Sequence, residues 1–108
     1  MKTYWHVTSI KAAHSIIKDG FQGGWGDAGF GVYVFDCLGR ATQFESAGGW
    51  DGSLKDSAVI EIEVPEDELE YVMPDPEWPN PEDYECVLWY PMNSDLDENW
   101  CPKREIIV

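Results

Sequence analysis

No lysine or arginine occurs between Lys55 and Lys103, although that stretch holds fifteen of the chain's 21 acidic residues. Affinity for nucleic acid draws on Lys and Arg that neutralise phosphates, so a field of this sign makes DNA or RNA a poor partner. Cysteine is scarce as well. Cys37, Cys86 and Cys101 are odd in number and form no Cys-x-x-Cys, which predicts reduced thiols and a cytoplasmic protein rather than a disulfide framework. Only His6 and His14 can join those scattered thiols, a set without the paired spacing of a zinc site, so no metal is expected. No apolar run approaches the roughly 20 residues that span a bilayer, and no secretory leader precedes the first strand-like segment. A soluble chain with no membrane partner is the expectation.

What is present is a globular composition. Of 108 residues, 44% are apolar and 14% aromatic, with six Trp, enough large side chains to fold without staples and to exclude a disordered class. The length allows a single domain, residues 1–108, with one core. The net charge of −14 is uneven, since five of the seven basic residues lie in the first 55 positions. The C-terminal half is therefore an acidic face, which either keeps the surface solvated or docks a partner protein with a basic surface.

The pattern along the chain predicts a mixed α+β domain. Residues Thr3 to Val7 favour a first strand. Thr8 or Ser9 can cap a helix to about Asp19, with Ile10, Ala13, Ile16 and Ile17 on one face and Gly20 ending it. From Gly20 to Gly31 there are six glycines, with Trp25 and Asp27 among them, and this stretch reads as an irregular loop able to close as a lid. A short buried strand over Gly31 to Phe35, a helix from about Leu38 to Ser46 and a break at Gly48, Gly49 and Gly52 follow. Ala58 to Val64 alternates, with Ile60, Ile62 and Val64 on one side and Glu61 and Glu63 on the other, which predicts a half-buried strand ended by Pro65. Glu66 to Glu70 suits one helical turn. Pro74, Pro76, Pro79 and Pro81 make an extended, irregular segment. Cys86 to Tyr90 returns to strand, Pro91 to Pro102 reads as loop, and Arg104 to Val108 is a last strand.

Three of these segments place a polar residue inside an apolar run: His6 in Tyr4-Trp5-His6-Val7-Thr8-Ser9, Tyr33 in Gly31-Val32-Tyr33-Val34-Phe35-Asp36, and Glu105 in Arg104-Glu105-Ile106-Ile107-Val108. Their order and setting resemble the His-Tyr-Glu triad of ADP-ribosyltransferases. The stretch Gly29-Phe30-Gly31-Val32-Tyr33-Val34-Phe35-Asp36, followed by Ala41 and Phe44, is similar to the glycine, tyrosine, acid and aromatic pattern of the poly(ADP-ribose) polymerase-like branch. The resemblance runs through residues 3–46 and resumes at the last strand. It implies a small split two-sheet core with two short helices, NAD bound in the cleft as co-substrate, and transfer of ADP-ribose to a protein.

Breaking the nicotinamide glycosidic bond passes through an oxocarbenium-like ribose, so such a site needs an anion near the sugar and contacts that hold the leaving group in line. The resemblance gives the anion's role to Glu105 and the adenosine-ribose contact to His6, with the backbone of Val7 holding the nicotinamide amide. Tyr33 then supports the nicotinamide or its ribose, and Phe44 stacks on the ring. The hydroxyl of Thr8 or Ser9 contacts ribose or caps the following helix. Each residue also has a plainer reading: His6 as a core histidine satisfied by backbone, Tyr33 and Phe44 as core packing, Glu105 as an outward residue of an edge strand.

The combined picture is a mono-ADP-ribosyltransferase, a small phage or bacterial effector acting on a protein target. NAD glycohydrolase activity, with water as acceptor, is its near relative. RNA 2′-phosphotransferases begin with a similar His-x-Thr-Ser stretch, but they rely on basic side chains that are scarce in this chain. A different class also fits the charge: a non-enzymatic acidic inhibitor whose carboxylates imitate nucleic acid in a basic groove.

Overall fold

A computed structural model describes residues 1–26, 28–49, 52–73, 77, 85–93 and 98–108. The elements are β1 (Lys2–Ser9), α1 (Ile10–Asp19), β2 (Gly24–Gly26), β3 (Gly29–Phe35), α2 (Leu38–Ser46), β4 (Ser57–Val64), a 3₁₀ turn (Glu66–Glu68), β5 (Glu70–Tyr71), β6 (Val87–Pro91) and β7 (Lys103–Ile106). Asp27 and the four prolines Pro74, Pro76, Pro79 and Pro81 lie outside the described residues. No helix among those described is long and apolar enough to cross a membrane.

Local chemistry sets the helix ends. Ser9 is extended and its hydroxyl accepts the Ala12 amide, 3.1 Å away, which fixes the start of α1 and satisfies one of the free amides of a first turn. Gly20 ends the helix at φ 90°, a conformation that side chains disfavour. Arg104 then reaches across from β7. Its guanidinium donates to the carbonyls of Ile16 at 2.7 Å, Ile17 at 3.4 Å and Pro102 at 2.8 Å, placing positive charge where the helix dipole ends negative.

The strands form one seven-stranded sheet in the order β5-β6-β3-β1-β4-β7, with β2 added against β3, and every pairing is antiparallel. The molecule is an α+β domain with a core on each face of that sheet. One core gathers Tyr4, Val34, Ile60 and Ile62 against Ala13 of α1. The other gathers Phe35, Val59 and Val87 against Ala41 of α2. Strand alternation separates the two sets, since neighbours such as Val59 and Ile60 point to opposite faces.

Two expectations change. The stretch from Gly20 to Gly31 is not wholly irregular: Gly24, Trp25 and Gly26 pair with Gly31, Phe30 and Gly29 as a hairpin. Glycine there lets backbones approach closely, because a Cβ on Gly31 would run into the Tyr90 carbonyl. β4 is also more than half-buried, since Val59 is covered by the α2-side core while Ile60 and Ile62 face α1. Its Glu61 and Glu63 remain partly exposed.

Apart from β2 the strands follow a single path, and its middle is joined weakly. β1 pairs with β4 along its whole length, from Lys2–Val64 to Ser9–Ser57, but with β3 only at Trp5–Phe35. Beyond that pair, toward the C-terminal end of β1, the two central strands part.

Candidate functional site

The parting of β1 and β3 leaves a cavity on each side of the sheet, each of about 330 Å³, near the lower end of the range for ligand pockets. The α1-side cavity is lined by Thr8, Ser15, Ile16, Gln22 and the glycine backbone of residues 20–24. The α2-side cavity is lined by Val7, Phe35, Phe44, Val72 and Val87. His6, Trp25 and Tyr33 line both. Among the described residues neither lining contains Asp, Glu, Lys or Arg, so recognition there draws on aromatic faces, hydroxyls and peptide groups.

His6 stands where the ladder fails. Its Nδ1 lies 2.6 Å from the Tyr33 carbonyl oxygen, and because a carbonyl only accepts, Nδ1 carries the proton. In the neutral ring Nε2 is then a free acceptor. Burial pushes the imidazole below its ordinary value of 6.5, and the bond to the Tyr33 carbonyl offsets part of that. Phe21 meets the ring edge-on at 5.1 Å. The plainer reading of His6 as a backbone-satisfied histidine thus describes one nitrogen, while the residue also walls both cavities.

Tyr33 is committed differently. Its hydroxyl donates to the Gly29 carbonyl at 2.6 Å and accepts the Ala28 amide at 3.0 Å, tying the end of the β2–β3 hairpin. Its ring stacks on Trp89 at 5.9 Å with an interplanar angle of 18°. The phenol proton is therefore spent within the fold, and the ring is what a ligand meets. Phe44 projects from α2 into the second core, 5.3 Å from Phe35, and lines the α2-side cavity. Val7 faces that same cavity, Thr8 the other, and Ser9 is used as the cap of α1.

Glu105 is not brought to this group. It pairs with Glu61 on β4, which in turn pairs with Trp5, and it lines a separate shallow depression with Glu61, Glu63, Lys103 and Arg104. Three strand spacings lie between β7 and β3, roughly 14 Å at about 4.8 Å each. The carboxylates that adjoin lining residues of the α2-side cavity along the chain include Asp36, which follows Phe35, Glu45, which follows Phe44, Glu70, two residues before Val72, and Glu85, two residues before Val87. Asp36 accepts the Tyr71 hydroxyl at 3.1 Å, and its amide is bonded to the Cys86 carbonyl. Glu85 is exposed in the turn two residues before β6, past the Phe35–Val87 pair of β3 and β6. Sequence reasoning passed over Glu85 because it adjoins a proline-rich, acidic stretch, and nothing local marks it among fifteen carboxylates.

Comparison of the chain with protein-family models, with curated proteins and with solved structures finds no match.

Proposed function

We propose that this protein binds NAD in the gap between β1 and β3 and transfers its ADP-ribose to a protein target, as an enzyme resembling the poly(ADP-ribose) polymerase-like ADP-ribosyltransferases. The observation that carries the reading is the parting of the two strands that hold His6 and Tyr33, with a ligand-sized cavity on either side. The neutral His6 ring offers Nε2 to a ribose hydroxyl. Phe44 offers an aromatic face on the α2 side, and Thr8 a hydroxyl on the α1 side. The finer core expected from the resemblance, a split pair of sheets, corresponds in this reading to the loosely joined β1 and β3.

The anion that stabilises a developing oxocarbenium is assigned here to Glu85 in preference to Glu105, because Glu85 comes two residues before Val87, which lines the α2-side cavity, whereas Glu105 lines a separate depression. Nicotinamide release from NAD, with a cell lysate supplying acceptors, tests the assignment. Glu85→Gln should lower the rate by at least a hundredfold, with the fold and NAD affinity retained. Glu105→Gln should change it less than threefold. Loss of turnover only in Glu105→Gln would return the role to β7. No release by the native protein, together with no rise in its melting temperature on adding NAD, would remove the enzyme reading.

The charge favours a second reading. With no cation between Lys55 and Lys103, the acidic face suits a basic protein partner, either the acceptor of the transfer or the target of a non-enzymatic inhibitor. Binding to such a partner that collapses with salt and survives simultaneous replacement of His6, Tyr33 and Glu85 would favour the inhibitor.

A further inference from the structure

Trp25 is the most exposed aromatic side chain among the described residues, at 78%, on a two-sided hairpin strand of three residues, Gly24-Trp25-Gly26. Six Trp occur in the chain, and an indole left this open is unusual for a residue that is commonly well buried. It nevertheless lines both cavities. Its flanking glycines carry no side chain to crowd it, and a Cβ at Gly24 would meet nothing within 4 Å. Its ring meets Phe30 edge-to-face at 5.3 Å.

The strand that carries the indole is held in place. Its three residues pair with Gly29, Phe30 and Gly31 of β3, and the Tyr33 hydroxyl closes the turn end through Ala28 and Gly29. Among the described residues the gap beside it has no charged lining residue, so recognition by its walls draws on ring faces and neutral hydrogen-bonding groups. An aromatic face fixed over an uncharged cleft, with His6 Nε2 and the hydroxyls of Thr8 and Ser15 close by, suits a flat, hydrogen-bonding ring. Aromatic faces grip such rings through stacking.

We infer that Trp25 is the platform on which a planar heteroaromatic ring of the ligand stacks at the mouth of the gap between β1 and β3, and so a specificity-determining residue of the site. This deepens the NAD reading above and rests on it for the choice of ligand. Both ends of NAD carry a ring of this class, an adenine and a nicotinamide, and the site's remaining polar groups suit the sugars between them.

The test is titration calorimetry of the full chain with NAD, adenosine monophosphate and nicotinamide, comparing the native protein with Trp25→Ala and Trp25→Phe. An exposed residue leaves the fold intact when replaced, which a melting curve checks. Trp25→Phe keeps a stacking face should the alanine variant lose its hairpin. The expected result is a ten- to hundredfold weakening in Trp25→Ala for whichever ring-bearing ligand binds, the range that removal of one stacking aromatic produces. Trp25→Phe should stay within about threefold of native. NAD bound equally by native protein and Trp25→Ala overturns the platform and leaves the transferase reading standing. Adenosine monophosphate or nicotinamide bound through Trp25, with NAD neither bound nor cleaved, upholds the platform and overturns the transferase. Binding of none of the three by the native protein overturns the platform.

Discussion

A single methyl group at Gly26 tests whether Tyr33 holds the hairpin that carries Trp25. A Cβ there would stand 2.5 Å from Cε1 and Cζ of Tyr33 and 2.9 Å from its hydroxyl oxygen, about 1 Å inside ordinary carbon contact. The ring has little room to yield. It stacks on Trp89, and its hydroxyl is tied to Gly29 and Ala28, so relief means breaking those bonds or opening the hairpin. Overpacking of this kind costs about 1–3 kcal/mol, and each hydrogen bond given up about 0.5–1.5 kcal/mol. We expect Gly26→Ala to lose about 2 kcal/mol in all. Near this chain length that lowers the melting temperature by roughly 8–16 °C, at about 4–8 °C per kcal/mol. Gly24→Ala is the matched control, because neither glycine has a left-handed φ and a Cβ at Gly24 meets nothing within 4 Å. It should be neutral or stabilising by up to about 1 kcal/mol through the unfolded chain. Thermal unfolding followed by circular dichroism reads both. Melting temperatures within about 3 °C of each other would refute the claim that Tyr33 and the hairpin strand are packed as a unit.

Acidification should weaken the fold through His6: its proton affinity is lowered in the folded state, so that state binds fewer protons than the unfolded chain just below pH 6.5, and stability falls as pH drops through that window. Denaturant unfolding of the native protein against His6→Asn, which keeps a donor for the Tyr33 carbonyl, should show this component only in the native protein. Arg104→Met removes three charge-assisted bonds to the end of α1 and the residue before β7, and should cost about 1.5–3 kcal/mol in the same assay. Ser9→Ala removes the cap of α1, with an expected loss of about 1 kcal/mol. Tyr33→Phe frees the Ala28 amide, so that amide should exchange with deuterium at least tenfold faster while β4 amides stay protected.

Much of the fold was legible because local signals and burial agreed. Ser9 and Gly20 bracket α1 as cap chemistry requires, α2 occupies the expected Leu38 to Ser46, and the alternation of β4 marks its α1-side face. Ile10 and Ile17 show where periodicity overreaches: the spacing puts both on one face with Ala13 and Ile16, yet both are exposed because α1 touches the sheet mainly along Ala13 and Ile16. The hairpin in the glycine-rich stretch was hidden because glycine carries no strand signal of its own, and the pairing that orders it comes from β3. The candidate site was half legible. His6 and Tyr33 sit on sheet positions that the segments around them predict. Which carboxylate approaches them depends on strand order, and strand order is a long-range property: β6 inserts beside β3, while the last strand of the chain is sent to the edge beyond β4.

The parted strands also explain why two residues of the resemblance have structural duties. Where β1 leaves β3, backbone groups of the central strands lose ladder partners, and a buried unpaired carbonyl costs about 1–3 kcal/mol. His6 Nδ1 supplies the donor for Tyr33, and the Tyr33 hydroxyl supplies both a donor and an acceptor at the hairpin end. The gap is therefore held open by side chains rather than closed by backbone. This asymmetry decides what a ligand can use. Nε2 of His6 is available and the Tyr33 proton is not, so replacing His6 should change affinity and stability together, whereas replacing the Tyr33 hydroxyl should act on ligand affinity through Trp25. A Tyr33→Phe protein that loses affinity while a Trp25→Ala, Tyr33→Phe double variant loses no more would show the two residues acting as one unit. Full additivity would place them in separate roles.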